Sequence, residues 1–329
     1  MQRKPQWKPS PTGQGCEVRQ RGLSLVELLV AMALGLILLA GVIQVVVGSK
    51  RSHQSGMALA ELQENGRFAL EAVGRDLRNA GFAGACTGGL VNASGSDGAQ
   101  YAVERSPIEG YGAGMAALAW VPSGRLSNTD ALLLRYAADA GLQARSISGN
   151  RLLLTSSSAL AGALYLLSDQ QSCLLLRNAG NTASLLADRS LEHFLVPATR
   201  VYAYRYAIYW VGRGTDGTPG LFVTEISEST EKQQASELVS GVAGMSLRYG
   251  VAGTGSEVVA TYKAAREMAA GDWRRVRTVR VSLLLQSQTV EADEVPKAVE
   301  FDGRSLAPSA ERRLRLVMGS TFALRNPPP

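Results

Sequence analysis

Histidine is nearly absent: His53 and His193 are the only two in 329 residues. A metal centre built on imidazoles, or a triad that needs a histidine base, has few parts to draw on. Neither histidine lies near a cysteine in sequence, and both read as surface residues. Cysteine is scarce as well, with three in the chain. No GxSxG elbow, P-loop or glycine-rich dinucleotide fingerprint occurs, and no internal repeat. Asp216-Gly217-Thr218 has the flavour of a calcium loop but lacks further acids at fixed spacing, so it reads as a turn. No catalytic residue, cofactor or metal is expected. Charged residues make up only 19% and hydrophobic residues 46%, which suits a folded body rather than a disordered one.

What is present in quantity is one apolar run. Residues 19–49 read RQRGLSLVELLVAMALGLILLAGVIQVVVGS, with Glu27 the only charge between Arg21 and Lys50. Residues 28–47 have about the length needed to cross a bilayer as a helix, roughly 20 residues at 1.5 Å each. A signal peptide would carry a shorter apolar core with its cleavage site after it, whereas here the plausible cleavage point, Gly22, comes before the run. The apolar segment is therefore expected to stay on the mature protein. A carboxylate at membrane depth costs several kcal/mol and calls for a function and a partner. The blander alternative places Glu27 in the headgroup region of an ordinary anchor.

In order, Gly22, Leu23, Ser24, Leu25, Val26, Glu27 and Leu28 resemble the type IV pilin family. Its prepilins carry a basic leader ending in Gly, then a hydrophobic residue, with Glu at the fifth mature position. The resemblance implies that a prepilin peptidase cuts between Gly22 and Leu23 and N-methylates the new terminus. Major pilins usually have Phe where this chain has Leu23, a change common among minor pilins. Residues 1–22 are longer than many leaders of the family, which leaves the true start codon open. They hold Arg3, Lys4, Lys8, Arg19 and Arg21 against Glu17, a net +4 of the chain's +6, so the mature protein would be nearly neutral. Positive charge before the helix keeps that end cytoplasmic, which would place the body in the periplasm.

Removal of the leader takes Cys16 with it and leaves Cys86 and Cys173, an even pair in an oxidising compartment. A disulfide between them is expected, with two unrelated buried thiols as the alternative. On the chain-entropy account such a bridge stabilises by roughly 4 to 5 kcal/mol.

The helix is expected to run on over residues 23–80. Met57, Leu62, Ala69, Val73, Leu77 and Ala80 recur at spacings near three and four, giving one apolar stripe, and Gly81 is the expected stop. Gly35, Gly41 and Gly48 mark bends or close packing. The run LQENGRFALEAVGRDLRNAGFAGAC, residues 62–86, resembles the PilW-type minor pilins, as do VRVSLLL at 279–285 and RRLRLVMGSTFALRN at 312–326.

Short apolar runs at 131–136, 151–155, 163–167 and 173–177 read as strands, followed by 201–211, a turn at 215–220, and strands at 221–227, 276–286 and 314–324. Tyr202, Tyr204, Tyr206, Ile208 and Trp210 fall on one face of the 201–211 strand; a row of this kind could bind a ligand but is far more often the inward face. Residues 84–114 read as a long loop, 231–255 as an unresolved mixture, and 291–308 as an exposed connection. Arg274, Arg275, Arg277 and Arg280 beside Trp273 cluster locally; the low mature charge favours a charged, solvated strand edge over a nucleic-acid contact.

The fold class is α+β, a long N-terminal helix packed on an antiparallel sheet. The expected division is a cleaved leader at 1–22, a transmembrane helix at 23–48, an amphipathic continuation at 49–80 and a periplasmic β-rich body at 81–329. The resemblance implies a non-enzymatic minor pilin in the inner membrane. Its partners would be the prepilin peptidase, other minor pilins, the major pilin, the inner-membrane assembly machinery and membrane lipid, with no nucleic acid. It would join a tip complex that primes filament growth. A type II secretion pseudopilin is the nearer alternative, and a signal-anchored periplasmic enzyme the more distant one.

Overall fold

The computed structural model describes residues 24–84, 89–95, 106–115, 124–169, 171–226, 233–290, 297–309 and 311–326. By contact density the chain divides into two units, residues 1–54 and 55–329. The helix α1, Leu25–Asn79, contributes to both.

In the first unit, residues 24–54 are exposed throughout. The helix is long and apolar enough there to cross a membrane, and none of its most apolar window is buried. Nothing lies within 4 Å of where a Cβ would stand on Gly35, Gly41 or Gly48, so these glycines make no close approach to another part of the chain.

In the second unit the helix has a buried stripe through Ala58, Leu62, Gly66, Ala69, Val73 and Leu77, the spacing of one helical face. Ala58 replaces the expected Met57, which is 59% exposed. Adjacent residues on a helix point about 100° apart, so only one of them can join the seam, and the smaller does. Small residues on that face bring the backbone close to the strands beneath. A Cβ on Gly66 would stand 2.5 Å from Leu285 Cδ1 and 2.5 Å from Met318 Sδ; one on Gly74 would stand 2.2 Å from the Phe322 ring. The helix ends where expected. Gly81 takes φ +84°, its N–H donates to the Arg135 carbonyl, and a Cβ there would meet the Asn326 carbonyl oxygen at 2.0 Å.

The strands are β1 Leu90–Ala93, β2 Ile108–Tyr111, β3 Ala131–Ser148, β4 Arg151–Leu154, β5 Leu164–Ser168, β6 Cys173–Arg177, β7 Ser184–Leu186 and β8 Arg200–Arg213. They continue with β9 Pro219–Ile226, β10 Gln233–Ser240, β11 Val242–Ala252, β12 Val259–Lys263, β13 Val276–Val290, β14 Val299–Phe301, β15 Arg304–Leu306 and β16 Arg313–Ala323. One ten-stranded sheet runs β1-β6-β5-β8-β3-β4-β7, with β2 added on β3 and β9 and β10 added on β8. Its pairings are antiparallel except β1 with β6. A second antiparallel sheet runs β12-β11-β13-β16, and β14 with β15 forms a separate hairpin. The class is α+β, as the alternation of the strand segments indicated.

The largest core lies where the helix meets both sheets: Leu62, Ala69, Val73 and Leu77 join Leu132, Leu134, Val211 and Leu221 of the ten-stranded sheet and Met245, Leu247, Val281 and Leu285 of the four-stranded one. A second cluster holds Tyr204, Tyr206, Ile208 and Trp210 with Leu133, Leu166 and Cys173, and a third gathers around Leu152, Leu167, Leu185 and Leu191.

Three expectations need correction. The stretch 231–255 contains two strands, and β11 is central in its sheet, because its alternation is hidden by burial on both faces. The loop expected at 84–114 contributes β1 and β2, whose four residues each are too short to leave a periodic signature. The connection expected at 291–308 folds back as β14 and β15 around Asp302-Gly303, both at positive φ.

Candidate functional site

The start of α1 is built by its own sequence. Ser24 caps the helix: its hydroxyl oxygen accepts from the Glu27 N–H at 3.2 Å, and its carbonyl accepts from the Leu28 N–H at 3.2 Å. Glu27 therefore stands third in the helix, in the first turn, where unpaired N–H groups and the helix dipole favour a negative charge. Ser24-Leu25-Val26-Glu27 is the S-x-x-E pattern of a capping box, a signal available in the sequence beside the reading of Glu27 as an intramembrane acid. Glu27 is exposed. Gly22 and Leu23 lie outside the described residues, as does Cys86.

Cys173 opens β6 at 1% exposure. Its Sγ lies 3.6 Å from the Ala83 carbonyl oxygen, and β1 pairs Leu90 with Cys173, so described residues on either side of position 86 run past this sulfur.

The aromatic row lies inward as expected, with Tyr204, Tyr206, Ile208 and Trp210 all under 5% exposed and Tyr202 packed at the margin. The opposite face of β8 is buried too, through Ala207, Tyr209 and Val211. Tyr209 carries an interaction that periodicity did not single out: its hydroxyl donates to Asp76 Oδ2 on the helix at 2.6 Å. Burial, then the Asp76 charge, raise the phenol's pKa, so Tyr209 stays a protonated donor. In sequence, Asp76 looked like one more solvent-facing charge between Arg75 and Arg78.

The arginine cluster is not a strand edge. Arg274 and Arg275 lie in the 3₁₀ turn Trp273–Arg275, and Arg277 and Arg280 lie on β13, which runs between β11 and β16. Arg275 pairs with Asp272 at 2.5 Å, Arg277 with Glu257 at 2.5 Å, and Arg280 stands 4.7 Å from the Tyr262 ring centroid. Two of the four charges, those of Arg275 and Arg277, are thus matched by acids. His53 and His193 are exposed, and the Asp216 carboxylate accepts from the Thr218 N–H in the turn between β8 and β9. Among the described residues there is no group of three or more His, Cys, Asp or Glu placed to hold a metal.

A capped apolar helix with an acid in its first turn, joined to a β-rich body, has the build of a membrane-anchored pilin. The family model of the prokaryotic N-terminal methylation motif matches residues 18–43, the region holding Ser24 and Glu27. A second family model, described as Type IV Pilus-assembly protein W, matches residues 208–326, from within β8 to just past the end of β16. Together the two matches make the chain similar to PilW-like type IV pilins, and these families point to a structural role. No match is found among curated proteins or among solved structures.

Proposed function

We propose that the chain is a minor pilin of type IV pilus biogenesis that joins other minor pilins in the complex priming filament growth at the tip. The observation that carries this is the pairing of an N-terminal methylation motif at 18–43 with a PilW match at 208–326 in one chain. The PilW match favours the pilus over the secretion pseudopilin. In this reading prepilin peptidase removes residues 1–22 between Gly22 and Leu23. Residues 23–48 then hold the protein in the inner membrane, 49–80 continue into the body, and 81–329 form the periplasmic domain. Partners are the other minor pilins, the major pilin and the inner-membrane assembly machinery.

Glu27 is the assembly residue. Four positions after Leu23, it stands one helical turn from the amine that cleavage would create. Pairing with that amine, in its own or a neighbouring subunit, would offset the cost of a carboxylate in lipid. Cys86 and Cys173 form a disulfide in this reading, supported by the burial of Cys173 and by the approach of Ala83 and Leu90 to it.

The test is Glu27→Ala, read by intact mass from membranes and by surface piliation. The expected mass begins at a methylated Leu23, with Cys86 and Cys173 oxidised, in both proteins, while piliation falls only in the variant. An uncut N terminus in the unaltered protein would overturn the pilin reading, and normal piliation in the variant would overturn the role of Glu27.

A further inference from the structure

A cleft apart from the helix N terminus has the composition of a ligand site. It opens where β2 and β3 meet the 3₁₀ turns Ala265–Glu267 and Trp273–Arg275, and its volume is about 620 Å³. Small-molecule sites span roughly 300 to 1,000 Å³. Its most deeply buried members are Arg135 and Tyr206, both 1% exposed, while Tyr111, Met115 and Trp273 line it closer to solvent.

The polar chemistry is concentrated on one pair. An Arg135 amino nitrogen lies 3.2 Å from the Glu109 carboxylate, the other donates to the Ser106 carbonyl at 2.8 Å, and the guanidinium carbon stands 5.2 Å from the Tyr206 ring centroid. The Tyr111 hydroxyl donates to Glu109 at 3.1 Å, and burial together with that carboxylate holds the phenol protonated. Arginine and glutamate balance each other, so a phosphate, carboxylate or ammonium ligand would find no unmatched countercharge. What the cleft offers is the Glu109 carboxylate, which can accept several hydrogen bonds and is held from beneath by the buried Arg135, and a phenol, set beside aromatic and thioether surface. A neutral ring with adjacent hydroxyls and an apolar C–H face complements both halves.

We propose that this cleft binds a neutral saccharide, with adjacent hydroxyls of one pyranose ring on the Glu109 carboxylate and the Tyr111 hydroxyl and its C–H face against the Met115 and Trp273 surface. Such a ring could come from cell-wall amino sugars or from hexoses of surface polysaccharides, and the probes separate these sources.

The full-length chain, in a detergent without a sugar headgroup, is titrated with N-acetylglucosamine, glucose and galactose by saturation-transfer NMR and tryptophan fluorescence. Saturable millimolar binding of at least one sugar is expected; a response confined to N-acetylglucosamine assigns the cell-wall source, and one to glucose or galactose the other. Tyr111→Phe keeps the ring and removes the hydroxyl, and should weaken binding about fivefold. Met115→Arg should fill the cleft and abolish binding with an unchanged melting temperature. No saturable response to any of the three sugars, or a response that survives Met115→Arg unchanged, overturns the proposal.

Discussion

Alanine at three glycines of α1 should move the stability of the body in opposite directions. In open surroundings, Gly→Ala inside a helix gains about 0.5 to 1 kcal/mol through backbone entropy. Gly56 takes that gain, because nothing lies within 4 Å of the place its new methyl would occupy. Gly66 does not, since its methyl would stand 2.5 Å from both Leu285 Cδ1 and Met318 Sδ. Carbon atoms prefer separations of about 3.5 to 4.0 Å, so the neighbours must retreat by roughly an ångström. Met318 is partly buried and can rotate, but Leu285 is fully buried and packed on all sides. Overpacking of this kind costs about 1 to 3 kcal/mol, which outweighs the propensity gain. Gly74→Ala should lose less than Gly66→Ala, because Phe322, which it would press at 2.2 Å, is only partly buried. At roughly 2 to 4 °C per kcal/mol, thermal scans by near-ultraviolet circular dichroism should show Gly56→Ala rising by about 2 °C and Gly66→Ala falling by about 3 to 6 °C. A rise at Gly66 equal to that at Gly56 would refute the close approach of helix and strand.

Two further outcomes concern polar ties. Asp76→Ala strands the buried Tyr209 hydroxyl and should cost about 1.5 to 3 kcal/mol in urea unfolding; Tyr209→Phe should cost about 1 kcal/mol, and the pair should couple in a double-mutant cycle. Asp272 accepts from Lys263 at 2.7 Å, Arg275 at 2.5 Å and the Ala269 N–H at 3.1 Å, and the Lys263 bond above all holds its carboxyl below the ordinary 3.8. With the folded pKa below the unfolded one, its stabilisation is complete above about pH 4 and is lost as the pH falls through the folded value. Asp272→Ala should therefore lower neutral-pH stability by roughly 2 kcal/mol, moderated because Lys263 and Arg275 are about one-third exposed, and should flatten the acid-side loss. An unchanged acid limb in urea titrations at pH 3 and 7 would contradict that assignment.

Much of this protein was legible from neighbouring residues alone. The apolar run around Glu27, the helix stop at Gly81, the turn at Asp216-Gly217 and the strand at Cys173–Arg177 each rest on a few adjacent positions whose intrinsic preferences agree. The capping pattern of Ser24 and Glu27 is equally local. The arginine cluster was legible as charge, but the placement of Arg277 and Arg280 on an interior strand depended on what β11 and β16 set beside it.

Only the tertiary structure decided the rest. Gly66 and Gly74 differ from Gly56 in what the strands bring against them, and Asp76 differs from its charged neighbours in meeting Tyr209, 133 residues away in sequence. Position 57 or 58 was a choice between two adjacent residues that only the seam could make, and it took the alanine. Arg135, Glu109 and Trp273 come together in one cleft through pairings that span the chain. Local preferences are encoded over a turn or a hairpin, whereas close approach and buried charge are properties of surfaces that meet only after the sheets have formed. The sequence by itself therefore determined the apolar helix, its cap and the alternation of the strands, and packing determined which small, charged and aromatic residues carry weight.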